Sequence, residues 1–303
     1  MIEIFAGFAL FASAITSNKL LLSQLSPTFF VALRMLCAGS LIFLINWIRH
    51  GVHVPKITKY IFPIFLIGAL TTFIPSILKA YALKNMISSK TALIGSLDPF
   101  VTAIYAYFLW AERLSIKKII GMIIGFSGIA ILLISTSPLE ELLGSWMFIS
   151  LPELAAFVSM VISRYGWIRA RDILKQEQFS PSELNSFIML IGGTYALISA
   201  YFSGTCDWCS IPTTFSFWGL FGYTVIVGNM AGYTIYAYLL KKHNMTLVSF
   251  CGLSVSLFVH LYGPLILGES LSSIFFISLA VVAFGMYLFY YDEFHPQPTS
   301  LSK

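Results

Sequence analysis

The sequence has few charged residues. Asp, Glu, Lys and Arg make up only 10% of its 303 residues, whereas hydrophobic residues make up 58%; an average soluble domain is roughly a quarter charged. This scarcity excludes an ordinary soluble domain and predicts a polytopic membrane protein. The net charge is +5, but the basic residues lie in short loops rather than in one stripe. We therefore expect them to orient the chain in a bilayer, and we expect no nucleic-acid partner.

Catalytic motifs and metal-binding patterns are also lacking. The sequence contains no H-E-x-x-H, no G-x-S-x-G and no Walker loop, so we expect no enzyme activity, no metal and no cofactor. A membrane-embedded enzyme stays as an alternative. Only four cysteines occur, and Cys206 and Cys209 share one predicted outer loop as a local disulfide or two free thiols. Two cysteines alone cannot form a structural zinc site.

Long apolar stretches dominate what is present. Crossing a bilayer takes about 20 residues, and ten stretches approach this length: 3–22, 28–48, 60–83, 88–110, 116–135, 144–166, 183–203, 215–240, 245–267 and 272–291. In the sixth stretch Pro152 and Glu153 interrupt the apolar run. The sequence therefore predicts an all-α protein with ten transmembrane helices.

Lysine and arginine are distributed unevenly among the loops. If both termini are cytoplasmic, thirteen of the 18 fall inside, only Lys84 and Lys90 fall outside, and Lys19, Arg34 and Lys79 lie within spans. An excess of Lys and Arg in cytoplasmic loops sets the orientation of most membrane proteins. We therefore predict a multi-pass protein of the cell (inner) membrane with both termini in the cytoplasm.

The two halves of the sequence repeat the same pattern at one ungapped offset of 157 positions. Three matches carry the repeat: 81–84 (YALK) with 238–241 (YLLK), 111–115 (AERLS) with 268–272 (GESLS), and Gly128 with Gly285. Five crossings per half force the two copies into opposite orientations. We predict two inverted five-helix repeats, 1–138 and 139–295, followed by a cytoplasmic tail, 296–303.

Several of these residues resemble a known signature. Ala82-Leu83, Leu97-Asp98-Pro99, the stretch 109–114 (LWAERL), Gly121 and Gly128 resemble the EamA type of the drug/metabolite transporter superfamily. Ser26-Pro27 followed by Arg34 is also similar to that family. Two departures concern the substrate more than the fold: Ser256 stands where a second proline would match Pro99, and the first helix lacks the family's frequent Trp-Gly.

The resemblance implies alternating access around a central cavity lined by both halves. We expect a secondary transporter of a small polar organic metabolite, with an amino acid or related zwitterion as the first choice. S-adenosylmethionine or a nucleoside-type metabolite is the alternative, and a channel is an alternative of another class. The sequence leaves open the direction of transport, its energy coupling and whether the chain forms a homodimer.

Ionisable groups within a span are costly and usually face a cavity or a partner. Asp98 precedes Pro99, whose ring removes a backbone donor in the fourth helix and exposes a polar patch. Asp98 is thus our leading candidate: it binds a substrate cation, couples a proton, or pairs internally with Lys19, Arg34 or Lys79. We expect Lys79 to snorkel towards the headgroups.

The other candidates carry two interpretations each. Lys19 and Arg34 either hold a substrate carboxylate or phosphate or serve the architecture. Glu153 follows Pro152, which we expect to kink the sixth helix, so its carboxylate either faces the cavity or lies near the membrane interface. His260 either contacts substrate or packs in the core. Further site candidates are Tyr105 and Tyr233 for aromatic contacts, Gly121 and Gly125 for close helix packing, and Glu112 and Glu269 from the repeated motif.

Overall fold

The computed structural model describes residues 2–50, 54–110, 115–133, 145–146, 149–176, 179–208, 211–242, 245–269 and 273–291. Nearly all of them are helical. The first half contains α1 (Ile2–Leu22), α2 (Pro27–His50), α3 (Val54–Gly68), α4 (Ile74–Asn85), α5 (Ser88–Gly95), α6 (Asp98–Trp110) and α7 (Ile116–Leu133). A π-helical stretch, Ala69–Phe73, joins α3 to α4 without a break.

The second half begins with a short antiparallel pair, β1 (Ser145–Trp146) and β2 (Ile149–Ser150), in which Ser145 pairs with Ser150. It continues with α8 (Leu151–Lys175), α9 (Pro181–Phe202), α10 (Phe215–Tyr223), α11 (Gly232–Lys242), α12 (Met245–Tyr262) and α13 (Ser273–Phe289). π-Helical stretches connect α10 to α11 (Thr224–Ala231) and extend α12 (Gly263–Leu267). Such local widening of a helix is frequent at functional sites.

Four helical stretches of the described chain are long and apolar enough to cross a membrane: Pro27–Arg49, Tyr60–Asn85, Ser88–Leu109 and Pro181–Phe202. The protein thus has the character of a helical membrane protein. The other predicted stretches also overlap helices. The number of crossings and the inverted arrangement of the halves stay predictions.

The predicted sixth span was wrong at its beginning. It was placed at 144–166, whereas α8 begins at Leu151. Ser150 caps this helix: its hydroxyl accepts from the Glu153 backbone N–H, and the Glu153 carboxylate accepts from the Ser150 N–H at 2.7 Å. Pro152 therefore lies in the first turn, where proline lacks only a donor that has no helical partner anyway, so it does not kink the helix.

Helices of the two halves pack against each other. α2 packs along α9, and α7 packs along α13. Small residues permit the second contact: a Cβ placed on Gly121 would lie 2.6 Å from the Gly285 carbonyl oxygen, and one on Gly285 would lie 2.6 Å from the Gly125 nitrogen. The predicted close packing at Gly121 and Gly125 is therefore present, with Gly285 as the opposing surface.

The break between α5 and α6 lies inside the molecule. Ser96 and Leu97 form a turn, with the Leu97 N–H donating to the Ile94 carbonyl at 3.2 Å, and α6 then begins at Asp98 and Pro99. Pro99 occupies the first turn of α6, where its missing donor costs little. This interruption places Asp98 at the start of α6, where its side chain is 30% exposed.

Candidate functional site

A central cavity of about 190 Å³, here called the larger lobe, lies between helices of both halves. α1, α4, α6, α8 and α11 all contribute to its wall. The lining residues are Gly7, Phe8, Phe11, Thr71, Pro75, Ser76, Lys79, Asp98, Ser159, Ser163, Trp167, Gly232, Tyr233, Ile235, Tyr236 and Leu239. The lobe combines aromatic rings, hydroxyls and charges of both signs, as ligand-binding cavities do.

A smaller lobe of about 50 Å³ adjoins it. The two lobes share Phe11, Ser76, Lys79 and Tyr233. Along α1 the larger lobe is lined by Gly7, Phe8 and Phe11, and the smaller by Phe11, Ala14, Ile15, Asn18 and Leu22. At about 1.5 Å per helical residue, the combined cavity follows α1 for roughly 20 Å. One elongated ligand can therefore reach both lobes.

Aromatic side chains form one wall of the larger lobe. The Trp167 ring from α8 lies 5.1 Å from that of Tyr236, edge to face, and 6.0 Å from that of Tyr233. The predicted candidate Tyr233 thus lines both lobes. Phe8 and Phe11 complete the wall from α1. Such rings offer faces to a planar base and attract cations.

Asp98 lines the larger lobe but is not a free carboxylate. Its Oδ2 forms an ion pair with Nη2 of Arg164, a residue of α8 that is 1% exposed, while the Asp98 side chain is 30% exposed. The internal ion pair considered from the sequence therefore exists, but with Arg164 instead of Lys19, Arg34 or Lys79. Arg164 was counted among the cytoplasmic cations, near the end of the predicted span 144–166; because α8 runs from Leu151 to Lys175, Arg164 lies in the middle of the helix and is buried.

Arg34 and Lys79 face the smaller lobe from α2 and α4. The snorkelling predicted for Lys79 was wrong, because Lys79 lies in the middle of α4 and lines both lobes. Arg34 is 9% exposed, and its guanidinium carbon lies 4.9 Å from the centre of the Phe30 ring. Both cations are therefore available to a ligand in the cavity.

Lys19 lies in the last turn of α1, beside Asn18 and Leu22, which line the end of the smaller lobe. Its ammonium donates at 2.6 Å to Oε1 of Glu269 and at 2.6 Å to the carbonyl oxygen of Met86. Glu269 also accepts from the Ser88 hydroxyl at 2.5 Å. Two residues singled out in the sequence are thus paired with each other, and neither lines a lobe.

Glu153 forms a second ion pair at the same end, with Lys90 of α5. Both side chains are almost completely buried. The kink-plus-carboxylate interpretation of Glu153 was wrong, because Pro152 begins the helix instead of interrupting it. Lys90, expected in an outer loop, is a buried partner of this carboxylate.

The remaining aromatic candidates lie away from the cavity. The Tyr105 hydroxyl donates to the Val161 carbonyl at 3.1 Å. His260 is buried, and its ring stacks on that of Phe275 at a centroid distance of 3.8 Å. Neither lines a lobe, so the packing interpretation of His260 fits the geometry. Glu112 lies outside the described residues.

Two residues of α8 were not among the sequence candidates: Arg164, which pairs with Asp98, and Trp167, which lines the larger lobe. Arg164 was missed because the Ser150-x-Pro-Glu153 pattern, a helix-start signature, was not used to place the helix. A helix that begins at Leu151 and is long enough to cross a bilayer places Arg164 in its middle instead of near the end of a span that stops at 166. Trp167 carried no signal that separates it from other aromatic residues of an apolar chain. Cys206 forms no disulfide with any described residue, and Cys209 lies outside that set.

Comparisons with known proteins agree with this architecture. The EamA-like transporter family matches residues 1–134 and 150–291. The chain is similar to an S-adenosylmethionine/S-adenosylhomocysteine transporter of Chlamydia muridarum (strain MoPn / Nigg), at 27% identity over 96% of this chain and 91% of the relative. It is also similar to a chloroplastic WAT1-related protein of Arabidopsis thaliana, at 24% identity over 94% of this chain and 68% of that protein.

A solved crystal structure has the same fold. It superposes with a TM-score of 0.68 over 94% of both chains, at 17% sequence identity. At this identity the likeness concerns the fold alone. The resemblance to the EamA type, which the sequence shows mainly between Ala82 and Gly128, is confirmed by the family match, and that match extends over both halves of the chain.

Proposed function

Because the chain belongs to the EamA-like transporter family, we propose that it is a secondary transporter of S-adenosylmethionine and S-adenosylhomocysteine that works by alternating access. Its ten transmembrane helices form two inverted five-helix repeats in the cytoplasmic membrane, with both termini in the cytoplasm. Relatives over nearly the whole chain carry these two substrates in their names. They favour the alternative substrate of the sequence analysis over a simple amino acid.

The packing of the helices supports two related halves. α2 and α9 hold equivalent places in the predicted repeats and pack on each other, as do α7 and α13. α1 and α8 are the first helices of the two predicted repeats, and α5–α6 and α12 are the fourth. The contact of α1 with α12 therefore corresponds to the contact of α8 with α5 and α6. A twofold relation between the halves predicts this pairing. Each contact between a helix of the first half and a helix of the second must then have an equivalent in which the two halves are swapped.

The observation that carries the substrate assignment is the composition of the larger lobe. Trp167, Tyr233 and Tyr236 provide the faces on which an adenine ring stacks. Hydroxyls of Ser76 and Ser163 line the same space and suit the ribose hydroxyls. The Asp98 carboxylate, although paired with Arg164 through Oδ2, also lines this space and presents an acceptor edge to the sulfonium group, which aromatic faces stabilise as well. An amino acid alone would leave most of this wall without a contact.

Alternating access requires one end of the cavity to close while the other opens. In this conformation two ion pairs lie at one end of the molecule. Lys19–Glu269 joins α1 to the segment that follows the π-helical stretch Gly263–Leu267, and Lys90–Glu153 joins α5 to α8. Under the predicted topology that end is external, so the larger lobe lies on the cytoplasmic side of the pairs. Opening the external end then requires both ion pairs to separate.

The test is uptake of labelled S-adenosylmethionine by proteoliposomes, with unlabelled competitors. We expect S-adenosylhomocysteine to compete well and methionine or leucine to compete poorly. Trp167→Ala removes a stacking face worth about 1–3 kcal/mol per base, so it should raise the KM for S-adenosylmethionine about tenfold. Trp167→Phe keeps a face and should retain most of the affinity.

Trp218→Ala is the matched control, because Trp218 is about half exposed and packs on Phe217 and Phe221 outside both lobes. It should transport like the parent protein. The substrate assignment is refuted if methionine competes as well as S-adenosylhomocysteine, or if the Trp167 and Trp218 variants behave alike.

A further inference from the structure

Two cations face the smaller lobe, and no acidic residue is among its described lining. Arg34 and Lys79 both line it, so two positively charged side chains share one small space. The ion pairs seen among the described residues join other cations to their carboxylates: Lys19–Glu269, Lys90–Glu153, Arg164–Asp98 and Arg169–Asp172. Within the described chain, then, neither Arg34 nor Lys79 has a counter-charge.

Hydrogen-bonding capacity in the lobe is also unused. Nε of Arg34 and Oδ1 of Asn18 are buried and have no hydrogen-bond partner among the described residues. Both residues line the smaller lobe. A buried donor or acceptor without a partner is costly, and a buried cation more so. The lobe therefore offers donors for an anion and, at Asn18, an acceptor for a cation.

The size of the lobe selects the group that can enter. A cavity needs about 10–15 Å³ for each water-sized group, so the smaller lobe of about 50 Å³ holds roughly three to five heavy atoms. That is too small for a nucleoside and suits a carboxylate with a neighbouring ammonium. Lys79 and Tyr233 belong to both lobes, so the rest of the ligand can continue into the larger lobe.

We propose that the smaller lobe is the subsite for the amino-acid end of the substrate, with its carboxylate bound between Arg34 and Lys79 and its ammonium donating to Oδ1 of Asn18. This inference rests on the proposed function. Guanidinium and carboxylate pair through two parallel hydrogen bonds. The ligand therefore lies along α1 with its adenine at Trp167 and its amino-acid end towards Lys19. Arg34 and Lys79 are then specificity-determining residues that reject ligands without a carboxylate.

The test measures equilibrium binding to the full chain in detergent, comparing S-adenosylmethionine with its decarboxylated analogue. Lys79→Gln should weaken S-adenosylmethionine binding about tenfold or more. Binding of the analogue, which carries a further net positive charge, should stay equal or improve. Equal losses for both ligands would overturn the subsite. Lys84→Gln is the matched control: Lys84 lies on the same helix and donates to the Leu25 carbonyl instead of lining a lobe.

Thermal melting of the ligand-free protein gives a second readout. Lys79→Gln removes an uncompensated cation, so its melting temperature should equal or exceed that of the parent. A purely structural lysine would give a lower melting temperature, which would also overturn the subsite. Arg34→Gln should behave in the same way. If Arg34→Gln does not fold, the result for Lys79→Gln alone tests the subsite. If the parent binds neither ligand, the proposed function fails, while the melting temperatures still test the uncompensated charge.

Discussion

Lys19 and Glu269 are 250 positions apart in the sequence, and their side chains form an ion pair of 2.6 Å. The pair lies where the last turn of α1 meets the beginning of α5, because Lys19 also donates to the Met86 carbonyl and Glu269 accepts from Ser88. It joins the first helix of the first half to the second half. The contact therefore fixes one end of the cavity.

Breaking this pair should destabilise the protein. Lys19→Ala and Glu269→Ala each leave a mostly buried group without its partner, and we expect a loss of about 1–3 kcal/mol in each case. The double exchange Lys19→Glu with Glu269→Lys should recover part of the loss, since the charges can pair again. Thermal melting in detergent measures all three. Single variants that melt with the parent protein would show that the pair contributes nothing.

Breaking the Asp98–Arg164 ion pair should destabilise the protein more than breaking the Lys19–Glu269 pair. Asp98→Asn leaves the Arg164 guanidinium, 1% exposed, without its counter-charge, at an expected cost of about 3–5 kcal/mol. It should also weaken transport, because Asp98 lines the larger lobe. Adding Arg164→Gln to Asp98→Asn should restore much of the stability and leave transport weakened.

Asp172→Asn is the control for this pair. Asp172 and Arg169 form an exposed ion pair at 3.8 Å, with 47% and 44% of their side chains exposed. Such pairs are worth at most about 1 kcal/mol. A melting temperature for Asp98→Asn as high as that of Asp172→Asn would contradict the buried pair.

Because α7 packs closely on α13, adding a single methyl group between the two helices should lower the melting temperature. Gly121→Ala and Gly285→Ala each place a Cβ about 2.6 Å from opposing backbone, so the helices must separate and both variants should melt lower. Gly219→Ala is the control. No atom of a described residue lies within 4 Å of a Cβ at Gly219, and alanine favours a helix by about 1 kcal/mol over glycine. Three variants with equal melting temperatures would contradict the observed approach.

Two helices begin with the same cap but differ in one contact. Glu153 and Glu183 each accept from the N–H of the capping serine at 2.7 Å. Glutamine can still accept this bond, so Glu183→Gln removes only a charge at the helix N-terminus and should cost about 0.3–1 kcal/mol. Glu153→Gln should cost clearly more, because it also removes the charge that pairs with buried Lys90. Parallel melting of the two variants checks the difference, and equal losses would show that Lys90 adds nothing to the cap.

Much of the fold could be predicted because hydrophobic length and the family signature report on it directly. The apolar stretches overlap observed helices, and the interruption at Pro99 lies where the sequence predicts it. The error at 144–166 came from counting apolar residues across a capped helix start. Hydropathy measures where a chain is apolar, and it does not measure where hydrogen bonding begins a helix.

The site could be predicted only in part. Asp98 and Tyr233 line the cavity as expected, whereas Lys19, Glu153 and His260 do not. Charge within a span indicates that a residue has a partner or faces a cavity, and it cannot separate the two. Lys19 and Glu153 have partners, and Lys79 faces the cavity. These outcomes depend on contacts between distant helices, which no local pattern encodes.

Counterflow in proteoliposomes tests the central claim most directly. Vesicles containing the purified chain are loaded with unlabelled S-adenosylhomocysteine and diluted into labelled S-adenosylmethionine. A carrier with one alternating site predicts that label rises transiently above its equilibrium level and then falls, with unchanged chemical identity of the label. Label that only approaches equilibrium, at a rate independent of the internal load and without saturation, would contradict the account.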